Sequence, residues 1–360
     1  MHVLKHADSV RPVWEVTLAD LRYRYRQFLI AVLGAGVVLA MALLLAGLVG
    51  GFAAEIDWTV GGVGARSWVL ANSAHGRLGA GIFPETASAA VARSPGVTGT
   101  APLLILPGEV ARVSGKTRTV AIFGVQTGAL GDPAVTSGRA LSASGQVVAD
   151  GRTHATVGTL ITIGSESFRV VGLVDHRTMA GGIPIVYMSL ADAQALALGG
   201  RPMVTALVTR GVPRQVPAGL AVLTNQQVEQ SNLAALSSAI ASINNSKIMM
   251  WVVAAIIIAA LLYVSALQRV RDFAVLKALG SSSAALFGSV AMEAVVVTLL
   301  AAVFGMVISN FMGGIFQQPV VIPGSAFATL PVIAVGVGLV ASLVAARRAT
   351  GADPAAAFGG

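Results

Sequence analysis

The chain contains 360 residues, of which 55% are hydrophobic and 11% are charged, and it has no cysteine. A charged fraction far below the roughly 25% of soluble domains indicates a membrane protein. The lack of cysteine excludes disulfides and thiolate metal sites. The net charge of +8 taken alone would suggest nucleic acid, but the basic residues must first be assigned to the two sides of a membrane, so nucleic acid is not an expected partner.

Uncharged stretches in chain order predict four membrane-spanning helices. The first stretch, 28–54, exceeds the 20 or so helical residues that cross a bilayer and the roughly 7 to 15 apolar residues of a cleavable signal peptide. The stretch 294–346 also lacks charge. It is too long for one crossing at about 1.5 Å per residue, and its Gly- and Pro-rich part, 312–325, predicts a turn back. The predicted spans are 28–54, 248–267, 284–311 and 326–346.

The placement of basic residues predicts the orientation of these spans. The flanks 1–27, 268–283 and 347–360 together hold ten Lys and Arg residues, whereas the connection 312–325 holds none. Short basic flanks stay in the cytoplasm. Both termini and the 268–283 connection are therefore expected inside, and 55–247 outside.

The outer region, 55–247, has a soluble composition and predicts a mixed α/β domain inserted between the first two spans, built as two packed subdomains. It ends in a helical stem, 226–246, that leads into the second span. The predicted strands are 147–149, 160–163, 168–174 and 183–188, and the predicted helices are 85–93 and 190–198. Ser189 can cap the second of these two helices.

Motifs for catalysis are lacking in the sequence. The run from Ser114 to Thr117 resembles the end of a phosphate-binding P-loop, but Val110 stands where that motif needs glycine. A β-hairpin turn is the favoured interpretation. His154 and His176 belong to no zinc motif and are expected at the surface, and no serine lies in a G-x-S-x-G elbow. We therefore expect no enzyme activity, cofactor or metal in this chain.

The segment 269–280 follows the second predicted span and is termed the coupling segment. Its apolar residues recur at helical spacing and its charged residues lie between them. The order of residue types resembles the signature of the MacB/FtsX-type ABC transporter permeases, with Asp272 where glutamate is usual; the alternative is a generic amphipathic connector. The residues that carry this resemblance are Arg269, Arg271, Asp272, Phe273, Leu276, Lys277 and Gly280.

A second resemblance lies at the C-terminus, where Arg347 and Arg348 are followed by Asp353 and Pro354. It is similar to the ending of the same family, with Phe358 in place of the usual leucine. The outer region 147–198 and the amphipathic stretch before the first span resemble the family more weakly. A simple interfacial anchor explains that stretch equally well.

The resemblance implies an α-helical membrane protein of a bacterial cytoplasmic membrane. It would pair with a separate ABC ATPase that carries ATP and Mg²⁺, form a dimer with a second copy or a paralogue, and transmit motion to the outer domain and to any extracytoplasmic protein partner. Lipids, lipoproteins, peptides and drugs are the family's export substrates. The alternatives are a division-type adaptor that activates a cell-wall hydrolase and a membrane-anchored enzyme.

Two further features lie within the predicted spans. Glu293 is an intramembrane acid, which is a functional position by default, although it can instead pair with Arg269 or Arg271. The first span contains small residues suited to close helix packing. Packing at a dimer interface and packing within one chain are both consistent with this pattern. These small residues are Gly34, Gly36, Gly47 and Gly51.

Overall fold

The computed structural model describes residues 25–268, 283–316 and 318–350, which form two compact units. The helical unit takes the described residues of Met1–Leu48, Ala241–Phe316 and Ile322–Gly360. The α/β unit takes those of Val49–Ile240 and Gln317–Val321. The helices are α1 (Tyr25–Gly62), α2 (Ala87–Ala92), α3 (Leu190–Leu198), α4 (Asn225–Ala235), α5 (Ser237–Gln268), α6 (Ser283–Met312) and α7 (Gly324–Thr350).

The described residues contain three helices that are long and apolar enough to cross a membrane. They correspond to α1, α5 and α6, and their apolar segments are Phe28–Gly62, Ser237–Ser265 and Val290–Ile315, the last of which includes a 3-10 turn after α6. A shorter apolar segment, Gly324–Val340, lies in α7, which also contains Pro331. Three of the predicted spans, 28–54, 248–267 and 284–311, overlap helices of this kind; α1 continues past the first to Gly62, and α5 begins before the second, at Ser237.

The helical unit packs around small and aliphatic side chains from all four of its helices. The buried residues include Ala35, Leu39, Ala254, Ile258, Ala294, Ala301, Leu330 and Ala334. Large apolar side chains also point away from this core: Ile30 is 69% exposed and Val332 is 72% exposed. An apolar outer surface suits helices surrounded by lipid, where contact with hydrocarbon costs nothing.

The α/β unit is built on one mixed sheet. Its strands are β1 (Ser67–Ala71), β2 (Phe83–Pro84), β3 (Val97–Val113), β4 (Lys116–Val125), β5 (Ser137–Gly138), β6 (Gln146–Asp150), β7 (Leu160–Ile163), β8 (Glu166–Val174), β9 (Thr178–Met179), β10 (Ile183–Ser189), β11 (Met203–Val204), β12 (Ala206–Gly211) and β13 (Leu220–Thr224). The order is β13-β1-β12-β3-β4-β10-β6-β8-β5, with β7 beside β3 and β8, and β9 beside β10; β11 and β2 form a separate pair. Strand β10 lies in the middle, parallel to β4 and antiparallel to β6.

Alternate residues of the central strands enter two separate cores on the two faces of the sheet, as the two-residue period of a strand requires. Ile185 and Tyr187 of β10 enter one core, and Val186 and Met188 enter the other. The first core also contains Ile56, Val60 and Val63, from the last turns of α1 and the residue after it. The C-terminal end of α1 is therefore part of the hydrophobic core of the α/β unit.

The predicted short elements are confirmed. Strands β6, β7, β8 and β10 and helices α2 and α3 occupy the expected positions, and the Ser189 hydroxyl caps α3 by accepting from the Asp192 N–H at 3.0 Å. The turn at Ser114 and Gly115 joins β3 to β4 as a hairpin, which confirms the interpretation preferred over a P-loop.

Two expectations for the outer region need correction. The prediction of two packed subdomains is wrong, because β3 and β4 carry one sheet across the unit and residues 49–240 form one compact body. The stem is not one uninterrupted helix either. Helix α4 starts with a capping box between Thr224 and Gln227, and α5 begins anew after Leu236.

Candidate functional site

The predicted coupling segment lies outside the described residues. This applies to Arg269, Arg271, Asp272, Phe273, Leu276, Lys277 and Gly280, and also to Asp353 and Pro354. The structure shows that α5 ends at Gln268 and α6 begins at Ser283, so the segment connects these two apolar helices. Arg347 and Arg348 lie in the last turns of α7, and their side chains are outside the described set.

Glu293 lies in α6 and faces α5. The Ser265 hydroxyl donates to Oε1 of Glu293 at 3.0 Å, and the two residues are 5% and 3% exposed. A buried carboxylate requires such partners, since burying an unpaired charge is costly. The acid therefore takes part in helix-helix contact, while the predicted pairing with Arg269 or Arg271 involves residues outside the described range.

The glycines of the first span make contacts of different kinds. A Cβ atom at Gly36 would lie 2.6 Å from Cδ1 of Phe304 and 3.0 Å from the carbonyl oxygen of Ala301. Gly305 approaches from the other side, since its Cβ would lie 2.9 Å from the Gly36 carbonyl oxygen. At Gly34 a Cβ atom would meet Ile257 at an ordinary 3.9 Å. Gly36 thus serves close packing of α1 on α6 within one chain.

Of the other two glycines, Gly47 is buried. Gly51 lies within the α/β unit, where the backbone of Pro319 leaves no room for a Cβ atom. Such close backbone approach is a reason for glycine at this position. A role of these residues between two chains stays a prediction.

A polar junction in the α/β unit joins the C-terminal end of α1 to the loop before β10. Glu55 is 1% exposed, and its two carboxylate oxygens accept hydrogen bonds from the backbone N–H groups of Gly181 and Gly182, each at 2.7 Å. We term this arrangement the Glu55 clamp. Bonds from N–H groups to a carboxylate are shorter and stronger than neutral ones, so the clamp satisfies a charge that would otherwise be buried without partners.

Neighbouring bonds extend this junction along the helix. Nη1 of Arg177 donates to the Trp58 carbonyl oxygen at 2.6 Å, and the Thr59 hydroxyl donates to the Thr178 carbonyl oxygen at 3.0 Å. The ring of His176 packs against that of Trp58 with centroids 5.6 Å apart. The loop therefore contacts three positions in the last turns of α1, at Glu55, Trp58 and Thr59.

A second carboxylate holds the other side of the same loop. Asp150, at the end of β6, accepts from the backbone N–H of Arg177 at 2.7 Å and from that of Arg152 at 2.9 Å. Burial raises the pKa of the Asp150 carboxyl, against the opposite effect of these two hydrogen bonds. Burial also raises the pKa of the nearby Tyr187 hydroxyl. Asp150 therefore ties the loop to the end of β6.

The contacts of the junction hold the end of α1 and the loop together. Across residues 25–268, 283–316 and 318–350, no three His, Cys, Asp or Glu side chains are grouped so that they could bind a metal ion. His154 and His176 are exposed, as predicted. Glu55 and Arg177 were not predicted as site residues, although one sequence signal existed: Glu55 is the first charge after a long uncharged helix.

Comparisons with known proteins agree on the class of molecule. Residues 247–354 match the family model described as FtsX-like permease C-terminal. An uncharacterised ABC transporter permease of Mycobacterium bovis (strain ATCC BAA-935 / AF2122/97) is 37% identical over 95% of this chain and 98% of its own. A second one, from Mycobacterium tuberculosis (strain CDC 1551 / Oshkosh), is 35% identical over the same shares.

Two solved structures are similar to about half of this chain or less. The periplasmic region of MacB from Actinobacillus actinomycetemcomitans covers 49% of this chain and 97% of its own, with 12% identity and a TM-score of 0.34. The extracellular domain of YknZ, an ABC-type transporter from Gram-positive bacteria, covers 40% and 90%, with 11% identity and a TM-score of 0.32.

Proposed function

Because the chain belongs to the ABC transporter permeases of the MacB/FtsX type, we propose that it couples ATP hydrolysis by a separate ATPase subunit to conformational change outside the membrane. The observation that carries this proposal is the course of α1. This helix runs without a break from Tyr25 to Gly62, and its last turns enter the core of the α/β unit. A continuous helix of this length transmits displacement along its axis.

We further propose four membrane spans, with both termini in the bacterial cytoplasm and the α/β unit outside. The fourth span is the uncharged part of α7, residues 326–346, which corresponds to about 30 Å of helix at about 1.5 Å per residue. That length matches the hydrocarbon core of a bilayer, which is about 30 Å thick. The basic residues of the short flanks support the orientation.

The ATPase is proposed to bind the coupling segment. Phe273 and Leu276 are its apolar anchors, and the charges at Arg269, Arg271, Asp272 and Lys277 set the fit, with Gly280 ending the helix. The tail residues Arg347, Arg348, Asp353 and Pro354 complete the cytoplasmic surface. ATP and Mg²⁺ belong to the partner, and this chain contributes motion without chemistry of its own.

The complex is proposed to contain two permease chains, identical or paralogous. Its work is the export or extraction of a lipid, lipoprotein, peptide or drug. The large size of the outer region, 55–247, favours a transport function over that of a division-type adaptor. Cysteines placed along the exposed face of α1 test the dimer, since cross-links between chains are expected there and their absence along the whole face would contradict it.

Affinity purification in mild detergent followed by mass spectrometry tests the proposed function. We expect an ABC ATPase in near-equal amount with the permease, and ATP hydrolysis by the purified complex. Recovery of a cell-wall hydrolase together with the ATPase would instead favour the adaptor function. Absence of any ATPase, with the permease itself intact and membrane-inserted, would contradict both.

A further inference from the structure

The Glu55 clamp fixes one position along a helix that apolar packing alone would leave free to shift. Ile56 and Val60 hold the end of α1 in the core, but apolar contact is non-directional and tolerates small rotations and translations. The two hydrogen bonds of 2.7 Å that Glu55 accepts from adjacent N–H groups do not tolerate such movements, because hydrogen bonds weaken steeply with distance and angle. The clamp therefore sets the axial register of α1.

The loop held by the clamp has a defined shape of its own. His176 and Ala180 adopt left-handed φ angles of 56° and 54°, and Gly181 and Gly182 follow with φ of 88° and 97°. Left-handed backbone is disfavoured for residues with a Cβ atom and persists only where surroundings enforce it. Those surroundings are the hydrogen bonds that backbone N–H groups of the loop donate to Asp150 and to Glu55 of α1. The loop is therefore stiff, with a restricted backbone conformation.

This stiff loop leads directly into the centre of the sheet. Gly182 is followed at once by Ile183, the first residue of β10. Strand β10 pairs with β4 on one side and β6 on the other, and β6 ends in Asp150, which bonds the loop. A displacement of the loop is therefore passed to two neighbouring strands at the same time.

The same loop also meets the connection between α6 and α7. A Cβ atom at Gly181 would lie 3.2 Å from Phe52 of α1 and 3.5 Å from the Gln318 side chain. Pro319, one residue further on, contacts Gly51. The clamp therefore lies where three separate segments of the α/β unit come together.

A buried carboxylate is a weak means of adding stability, because its desolvation offsets much of what its bonds contribute. What it provides is a single favourable geometry, since any shift of α1 that breaks the bonds leaves a charge buried without partners. We propose that Glu55 is the positioning residue that makes the outer end of α1 and strand β10 move as one body. This inference rests on the proposed function and assigns the path by which helix motion reaches the outer sheet.

The test uses the full permease–ATPase complex in lipid nanodiscs. Hydrogen-deuterium exchange is measured with and without ATP on peptides covering β6 and β8, away from the loop, alongside the rate of ATP hydrolysis. The variant is Glu55→Gln, which keeps the shape but replaces one acceptor oxygen by an NH₂ group. The matched control is Asp57→Asn, which removes an exposed carboxylate two residues further along α1.

We expect ATP to change exchange in β6 and β8 in the parent complex and in the control. In Glu55→Gln that ATP-dependent change should fall at least threefold, while basal hydrolysis stays within about twofold of the parent. If Glu55 only stabilised the fold, its replacement would lower the ATP-dependent exchange change and the basal hydrolysis together. If Glu55→Gln fails to assemble, Thr59→Val removes only the neighbouring hydroxyl bond to the loop and should give a partial loss.

A covalent replacement of the clamp gives the complementary result. The chain has no cysteine, so Thr59→Cys and Thr178→Cys, added to Glu55→Gln, introduce one pair at a site where helix and loop already touch. Its disulfide should restore the ATP-dependent change, and reduction should abolish it again.

A full ATP response in Glu55→Gln, or in Thr59→Val where that variant stands in, would overturn the inference, as would a formed disulfide that restores nothing. If the parent complex itself shows no ATP-dependent change outside the membrane, the proposed function fails and the inference fails with it. The two failures are distinguished by the parent complex alone.

Discussion

Replacing Gly36 by alanine tests the close packing of α1 on α6. The added methyl group would lie 2.6 Å from Phe304, whose ring can rotate, and 3.0 Å from the Ala301 carbonyl oxygen, which belongs to the helix backbone and cannot. The helices must therefore separate by a few tenths of an ångström. Overpacking of this kind destabilises by about 1–3 kcal/mol.

Gly34→Ala is the matched control for this change, because its methyl group would meet Ile257 at an ordinary 3.9 Å. Both substitutions gain the helix propensity of alanine over glycine, about 0.5–1 kcal/mol. That gain cancels when the two variants are compared. Their difference in stability therefore reports the overpacking alone, and we expect it to be about 1–3 kcal/mol.

The assay is unfolding of the purified chain by SDS titration in mixed micelles, with helix content as the signal. Gly36→Ala should unfold at a lower SDS fraction than the parent, and Gly34→Ala at the same or a higher fraction. Gly305→Ala, whose methyl group would face the Gly36 carbonyl oxygen at 2.9 Å, should behave like Gly36→Ala. Equal stability of Gly36→Ala and Gly34→Ala would refute the close contact.

Two further predictions concern topology and the intramembrane acid. Cysteines introduced at Ser165 and Ser325 should react with a membrane-impermeant maleimide in intact cells, and one at Ser282 should not; labelling at position 282 would reverse the proposed orientation. Glu293→Ala removes the acceptor of the Ser265 hydroxyl and should lower stability by about 1–3 kcal/mol, whereas Glu293→Gln keeps an acceptor and should retain stability and transport-coupled ATP hydrolysis. Loss of that hydrolysis in an assembled Glu293→Gln complex would show that the carboxylate acts on a proton or a substrate.

Local sequence patterns predict local structure well in this chain. The β3–β4 hairpin follows from Gly115 between two β-rich runs, and α3 follows from the Ser189 cap before an apolar repeat. Such elements are specified by neighbouring residues, through turn chemistry and capping bonds. The positions of these elements can therefore be predicted from the sequence without knowledge of tertiary contacts.

Elements that depend on distant partners were not predictable in the same way. The first charge after the apolar stretch, Glu55, marked the end of the predicted span, yet α1 continues to Gly62. Residues 126 and 127 positions away satisfy that carboxylate, and Ile56 and Val60 of the following turns enter the core of the α/β unit. The clamp could not be found from sequence for the same reason, and neither could the partner of Glu293 on α5 or the joining of two expected subdomains by one sheet.

The central claim is that the coupling segment seats in a partner ATPase. Truncating a buried interface anchor commonly costs about 2 kcal/mol or more, roughly thirtyfold in affinity. The double variant Phe273→Ala and Leu276→Ala should therefore lose the ATPase on purification while membrane insertion stays intact. Val275→Ala, on the opposite side of the expected helix, is the control and should retain the ATPase.

The most direct measurement is the amount of ATPase that co-purifies with the double variant, and its transport-coupled ATP hydrolysis, at expression matched to the parent chain. A segment that merely rests on lipid headgroups would leave the ATPase bound. We predict a loss of co-purification of tenfold or more, on the order of 1.4 kcal/mol, with coupled hydrolysis lost in proportion. Retention of both at the parent level would contradict the coupling assignment and the function built on it.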